Sequence, residues 1–271
     1  MPDPARAPGK TGEISMSDFD RNYAATRTGY RTDQVAIDAG LRAYMIRVYN
    51  YMATGVALTG VVAWLTYQLA GGDAIQVAGN QITGLTAFGQ AVFSGPLTIV
   101  LFFSTLGLVF FMSYRINRLQ ASTALALFML YAGLLGLMLS SVFLAYTGAS
   151  ITRVFFISAA SFGALSLYGY TTQRDLSPIG SFLIMGLFGL VIAIVVQLWL
   201  KSPGLNFAIS VIGVLIFAGL TAWDTQKIKE MYSAMDDGTI AGRKAVMGAL
   251  SLYLDFINLF LMLLRLMGDR R

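Results

Sequence analysis

Residues 245–266 decide the fold and read AVMGALSLYLDFINLFLMLLRL. The run is long enough for a helix that crosses the roughly 30 Å hydrocarbon core of a bilayer. It holds Asp255 among apolar residues, and an ionised carboxylate at membrane depth is costly. Because such a residue usually faces a partner or a water-filled path, this stretch predicts a transmembrane helix that carries a functional acid.

Six further apolar runs precede this one, in a chain that is 56% hydrophobic and 12% charged, with a mean hydropathy of +0.66. Ordinary soluble domains carry about 25% charged residues. The sequence therefore predicts an all-α integral membrane protein with seven transmembrane helices and no separate catalytic domain. The predicted spans are 48–70, 96–114, 121–147, 154–170, 179–200, 207–225 and 245–266.

Cysteine and histidine are both absent from the sequence. This excludes disulfides, zinc or haem ligation by imidazole, and a Ser-His or Cys-His catalytic pair. We expect no bound cofactor, and any proton sensing has to use carboxylates. The net charge of +5 does not indicate nucleic-acid binding, because the basic residues are scattered at span ends, as topology determinants are.

Positive charge also predicts how the chain is organised. Lys and Arg are in excess on the side of the bundle that holds the N-terminus, which predicts a cytoplasmic N-terminus. Residues 1–43 contain three prolines and no long apolar stretch, and this predicts a mostly disordered cytoplasmic tail. A transmembrane domain over 44–268 and a short C-terminal tail over 269–271 follow.

A second acid, Asp224, closes the sixth span. In the last span Ser251, Asp255 and Asn258 recur at helical spacing as one polar stripe, which favours a place at the bundle centre. If the last helix begins outside the hydrocarbon, the two aspartates meet and bind a proton or a weakly held Ca²⁺ as one unit. The alternative is that Asp224 only flanks a helix end near Lys227, while Asp255 bonds Asn258 or a neighbouring helix.

A basic partner for such a pair is offered by Arg115 and Arg118, which follow the second span. Arg115 comes first after the apolar run, and its long side chain can reach back along the bundle. The alternative is that both arginines are only anchors at the cytoplasmic surface.

Three runs resemble the transmembrane Bax inhibitor motif family, the Bax inhibitor-1-like membrane proteins. They lie in order on the fourth, sixth and seventh spans and read YGYTTQRDLS (168–177), WDTQKI (223–228) and SLYLDFINLF (251–260). The similar portion covers residues 43–267. The long first external loop and the basic C-terminal tail depart from the family pattern.

The resemblance implies a seventh helix at the centre, wrapped by the other six, and a pH-sensitive calcium leak across the membrane. It also implies a gate made of Asp224 and Asp255, latched to an arginine of the second helix. Arg115 is the favoured latch and Arg118 the alternative. Ser251 and Asn258 are expected to support the gate.

Two other function classes stay open. A regulatory protein that docks on a membrane protease would depend on the basic tail and loops more than on the aspartates. An intramembrane aspartyl protease needs two aspartates on neighbouring helices, but no Gly-x-Gly precedes Asp224 or Asp255, so we do not expect an enzyme. We expect a monomer in a bacterial inner membrane that contacts lipid and Ca²⁺ or other cations.

Overall fold

The computed structural model describes the backbone of residues 16–78, 81–93, 95–115 and 118–271, and the side chains in these ranges from Ala39 onward, except those of 77, 78 and 81. Its helices are α1 (Met16–Leu69), α2 (Ala87–Phe93), α3 (Pro96–Arg115), α4 (Ala121–Leu139), α5 (Val142–Ala145), α6 (Gly148–Thr171), α7 (Ser177–Leu200), α8 (Pro203–Glu230) and α9 (Gly238–Met267).

Seven helical segments in the described ranges are long and apolar enough to cross a membrane. They are α3, α6, α7, α8, α9, the part Ala39–Leu69 of α1, and α4 with α5 as Ala121–Ala145. Each corresponds to one predicted span, so the prediction of a seven-helix membrane protein is confirmed.

The helices α8 and α9 begin earlier than predicted, because capping residues precede their apolar parts. The Ser202 hydroxyl accepts a hydrogen bond from the backbone of Leu205, and the Asp237 carboxylate accepts one from the backbone of Ile240 at 2.7 Å. Such N-caps satisfy amides that otherwise lack a partner. As a result, α9 starts seven residues, or about 10 Å, before the predicted boundary.

The third span is interrupted near its end, where the sequence predicted one continuous helix over 121–147. Helix α4 ends at Leu139 and α5 begins at Val142. The intervening Ser141 hydroxyl donates to the carbonyl oxygen of Met138 at 2.9 Å. Serine hydroxyls that bond nearby carbonyls compete with the helix ladder, which accounts for the break.

The segment after α1, predicted as a loop, holds short structured elements. A 3₁₀ turn (Gly72–Ala74) leads into two antiparallel strands, β1 (Gln76–Ala78) and β2 (Gln81–Thr83), with Gln76 opposite Thr83. The backbone of Thr86 then donates to the carbonyl of Ala70 at 3.0 Å, which holds this segment against the end of α1.

The second part of the tail that was predicted to be disordered is helical in the structure. Residues 1–15 lie outside the described ranges, but α1 begins at Met16, so residues 16–43 are helical. The sequence has no proline between residues 9 and 95. A helix already formed over the span therefore extends backward without a breaker, and extension is cheaper than nucleation.

Helix α9 is the most buried of the seven spanning helices. In its most apolar stretch 72% of the residues are buried, against 17% in α3 and 11% in α7. It packs against α8, α1, α6 and α4, whereas α3 packs mainly against α4 and α7 mainly against α8. The structure thus gives α9 four principal neighbours rather than the predicted ring of six, because α3 and α7 lie outside the inner group.

A buried polar contact fastens α9 to two of these neighbours. The Tyr253 hydroxyl, fully buried, lies 2.6 Å from Oγ1 of Thr59 on α1. Thr59 in turn donates to the carbonyl of Ala132 on α4 at 2.9 Å. Because buried hydroxyls need partners, this chain of hydrogen bonds fixes the position of α9 against α1 and α4.

The C-terminal tail is paired rather than loose. Arg270 forms a β-bridge with Tyr146, and the backbone of Thr147 donates to the carbonyl of Asp269 at 3.1 Å. These bonds join the last residues of the chain to the connection between α5 and α6.

Candidate functional site

The relative positions of α8 and α9 are set by glycines at their crossing. A Cβ atom added to Gly248 of α9 would lie 3.0 Å from Ile228 of α8. At the other end of the contact, a Cβ atom on Gly213 of α8 would lie 2.8 Å from Met262 of α9. Small residues of this kind let helices in a membrane approach closely and fix their register.

This register brings Asp224 and Asp255 together. From the contact between Ile228 and Gly248, Asp224 lies four residues further into the bundle and Asp255 seven, a difference of about 5 Å along the helix axes. Their side chains span that offset and their carboxyl groups meet within hydrogen-bonding reach. The earlier start of α9 at Gly238 is what allows this meeting.

The carboxyl of Asp255 is buried, with only 6% of the residue exposed, and that of Asp224 is partly buried. Among the described residues, Oδ2 of Asp255 has no hydrogen-bond donor. The polar group that its carboxyl meets is another carboxyl, and two acceptors do not satisfy each other. Either a proton on one of them or a cation between them resolves this arrangement.

The pair lies in the wall of a groove of about 500 Å³ between α7, α8 and α9. Ser251 and Asn258 line the same groove, as the polar stripe of the last span predicted. The Asn258 amide donates to the carbonyl of Leu254 at 2.8 Å, one turn earlier on the same helix. The groove is otherwise mostly apolar, so its polar groups are concentrated beside the two acids.

A second cavity of about 350 Å³ adjoins this groove and shares Asp224, Lys227 and Ser251 with it. It adds Arg243 and Lys244 from the first turns of α9. The Lys244 ammonium is held by Asp236 at 2.6 Å and by the carbonyl of Met231 at 2.9 Å. Cationic side chains of α8 and α9 themselves therefore line the cavity beside Asp224.

Two of the sequence runs noted above contact each other beside this site. The Gln226 amide accepts from the backbone of Leu176 and donates to the carbonyl of Arg174, both at 2.8 Å. In the same connection, hydrogen bonds from Ser177 hold the pKa of the exposed Asp175 below its ordinary value. The connection between α6 and α7 is therefore fastened to α8 two residues after Asp224.

Comparison with known proteins places the chain in a family. Residues 41–271 match the family model described as Inhibitor of apoptosis-promoting Bax1. The chain belongs to this family.

Relatives in this Bax1-inhibitor family cover nearly the whole chain. The inner membrane protein YbhL of Escherichia coli K12 is 46% identical over 236 residues, which are 86% of this chain and 94% of that protein. A protein of Rickettsia prowazekii is 49% identical over 234 residues, 86% of this chain and 92% of its own length. One of Caulobacter vibrioides is 43% identical over 259 residues, 94% of this chain and 100% of its own.

In this Bax1-inhibitor family protein, the two arginines predicted as a latch are not brought to the aspartate pair. Arg115 is the last residue of α3, and both Arg115 and Arg118 are exposed. Helix α3 packs mainly against α4 and α2, and neither arginine lines the groove or its adjoining cavity. Their placement at the end of a span fits the alternative interpretation as surface anchors.

The cations that do lie near the pair are Lys227 and Arg243. The sequence offered Lys227 only as a neighbour of Asp224 at a helix end, and Arg243 only as one of the basic residues at span ends. The sequence does contain a pattern that places Arg243 on the face of Asp255. Along α9, residues at intervals of four are Arg243, Met247, Ser251 and Asp255. Residues at this spacing share a helix face. The signal was hidden because the predicted span began at residue 245, after Arg243.

Candidate metal ligands are few around the pair. In the described part of the chain no group of three or more Asp, Glu, His or Cys side chains is close enough to hold a metal ion together. Two carboxylates supply fewer oxygens than the six to eight that Ca²⁺ prefers. Water would have to complete the shell of any calcium ion that the pair contacts.

Proposed function

We propose that this protein is a passive, proton-sensitive cation leak that passes Ca²⁺, closed by the contact between Asp224 and Asp255. The observation that carries the proposal is the buried Asp255 carboxyl, whose Oδ2 has no donor among the described residues and which meets a second carboxyl. A purely structural pair of acids at this depth would be an expensive way to join two helices.

The proposed gate is controlled by whether the two carboxyl groups share a proton, bind a cation or hold neither. With one proton between them, the two groups form a hydrogen bond that holds α8 against α9. When that proton leaves, two negative charges face each other and repel, which loosens the contact unless a cation takes its place. The path would run through the groove and the adjoining cavity, which share Asp224 in their walls.

Lys227 and Arg243 take the place of the predicted arginine latch in this proposal. Both line the cavity next to Asp224, and Lys227 is three residues after it on the same helix. A protein cation beside the pair competes with Ca²⁺ for the carboxylates. Weak binding of this kind suits conduction, because an ion has to leave the site as readily as it enters.

The test is Ca²⁺ flux into liposomes that hold the purified protein, measured across a pH series. The double variant Asp224→Asn with Asp255→Asn keeps the shape of both side chains but has no proton to lose. We expect its flux to be independent of pH, whereas the flux of the wild type changes with pH.

Asp175→Asn is the matched control, since Asp175 is an exposed aspartate between two spans and asparagine retains an acceptor for the Ser177 amide. Its flux is expected to follow the wild-type pH curve. If the double variant also follows that curve, the aspartate pair is not the gate.

The membrane and orientation are part of the proposal. The name of the Escherichia coli relative supports an inner-membrane location. A cytoplasmic N-terminus is supported by the side of the bundle on which the basic residues collect, namely Arg42, Arg47, Arg115, Arg118, Arg174, Lys227, Lys229, Arg243 and Lys244.

A regulatory role, in which the protein docks on a membrane protease or similar complex, is a second candidate favoured by one feature. Helix α1 begins at Met16, 32 residues before the apolar run that starts at Val48. A straight helix of that length reaches about 48 Å beyond the run. It offers a surface for a partner outside the membrane.

Deleting residues 2–38 separates the two roles. We expect the shortened protein to lose partners that crosslink to the full chain in native membranes, while its Ca²⁺ flux in liposomes is unchanged. Equal crosslinking of both forms would contradict the docking role. If the shortened protein lost only its Ca²⁺ flux, residues 2–38 would be part of the channel instead.

A further inference from the structure

A cavity of about 520 Å³ lies between α1 and α6, away from the groove that holds the aspartates. Both helices pack against α9 but hardly against each other, and this leaves a cleft between them. A Cβ atom added to Gly163, in the wall of this cleft, would meet nothing within 4 Å. The cleft is therefore open space between two helices rather than a tight interface.

The floor of the cleft contains hydroxyl groups that already have partners. The Tyr49 hydroxyl lies 3.0 Å from Oγ of Ser166, and Ser166 lies 2.9 Å from Oγ1 of Thr225 on α8. Thr225 also donates to the carbonyl of Thr221. Since these groups are satisfied, the cleft does not require water, and its remaining lining is apolar apart from one residue.

That residue is Arg42, which lies at the mouth of the cleft, at the end of the bundle where α1 begins its span. It is exposed and has no hydrogen bond or ion pair with another described residue. The Lys229 ammonium donates to the carbonyl oxygen of Tyr170, which lines the cleft, at 2.8 Å. Of the side chains that the structure describes from Ala39 onward, none that lines the cleft is acidic, and Arg42 supplies the positive charge at its mouth.

We infer that the cleft between α1 and α6 binds one anionic phospholipid, with an acyl chain in the cleft and the phosphate group at Arg42. A mostly apolar cleft between two spanning helices suits a lipid chain better than a water-soluble ligand. The positive mouth at the level of the membrane surface matches an anionic headgroup. This inference does not depend on the proposed channel.

Two pairs of variants test the site. Arg42→Gln removes the charge at the mouth, and Arg47→Gln removes a charge five residues later on the same helix, outside the cleft. Gly163→Leu fills the cleft, and Gly107→Leu makes the same change on α3, where a Cβ atom also meets nothing within 4 Å. None of the four substitutions is expected to disturb packing.

The measurement is native mass spectrometry of the purified full chain in detergent, titrated with phosphatidylglycerol or phosphatidylethanolamine. We expect the wild type to prefer phosphatidylglycerol. Arg42→Gln should weaken phosphatidylglycerol binding by about five-fold and leave phosphatidylethanolamine unchanged, which corresponds to the loss of one basic residue near a membrane surface. Gly163→Leu should weaken the binding of both lipids.

The control variants Arg47→Gln and Gly107→Leu are expected to bind both lipids as the wild type does. Equal wild-type affinity for the two lipids would overturn the anionic specificity. If Gly163→Leu bound both lipids as well as Gly107→Leu did, the cleft would not be where the chain lies, and the proposal would be wrong.

Discussion

Replacing Gly169 with leucine is expected to lower the unfolding temperature of the protein strongly. Gly169 lies where α6 crosses α8, and a Cβ atom there would be placed 2.1 Å from the carbonyl oxygen of Ala222. The obstacle is backbone rather than a side chain that can turn away, so the two helices would have to separate. Overpacking of a core costs about 1–3 kcal/mol and occasionally more, and a main-chain clash belongs at the upper end.

Size-exclusion chromatography and thermal unfolding in detergent measure this effect. Gly163→Leu is the matched control, since it makes the same change on the same helix six residues earlier, where the added side chain enters open space. The control should elute and melt as the wild type does. If Gly169→Leu did the same, the close crossing of α6 and α8 would not be essential to the fold.

The second large effect is expected from removing residues 268–271. The deletion removes backbone bonds between Thr147 and Asp269 and between Arg271 and Ala145, both at 3.1 Å. It also removes the bond from the Asp269 backbone to the Ser150 hydroxyl at 2.9 Å and that from Arg271 to the Tyr67 hydroxyl at 2.8 Å. At about 1 kcal/mol per hydrogen bond, the free energy of unfolding falls by about 4 kcal/mol.

A loss of this size lowers the unfolding temperature by about 10 °C in a chain of this length. Arg270→Ala is the control, because the backbone bridge of Arg270 to Tyr146 does not need its side chain. The ion pairs of Arg153 with Asp269 and Arg271 with Asp73 are exposed and add little. An unchanged unfolding temperature of the deleted form would show that the pairing is not maintained in solution.

Hydropathy was sufficient to predict the seven spanning helices, because each span has to satisfy the same length and polarity requirement independently of the others. The boundaries were less predictable. Caps such as Asp237 lie in polar sequence, where apolar periodicity gives no signal, and the serines at 140 and 141 break a run that is otherwise continuous.

The sequence predicts less about which helices pack against one another than about where the spans lie. The polar stripe of the last span favoured an inner position for α9, which is the most buried spanning helix. Nothing in the composition of α3 or α7, however, distinguishes an inner from an outer helix. The placement of Arg115 depends on that distinction, because α3 lies outside α4 and away from α8 and α9. The contact between Asp224 and Asp255 was easier to predict from the sequence, since it follows from the register of two consecutive helices.

The burial of α9 among its neighbours has a consequence for the biosynthesis of the protein. Helix α9 follows α1, α4, α6 and α8 in the chain, so these four helices enter the membrane before the helix against which they pack. Until then Thr59 lacks Tyr253 and Asp224 lacks Asp255. Nascent chains that end before Gly238 therefore contain six spans, four of which lack the helix against which they pack, and we expect cellular quality control to degrade them.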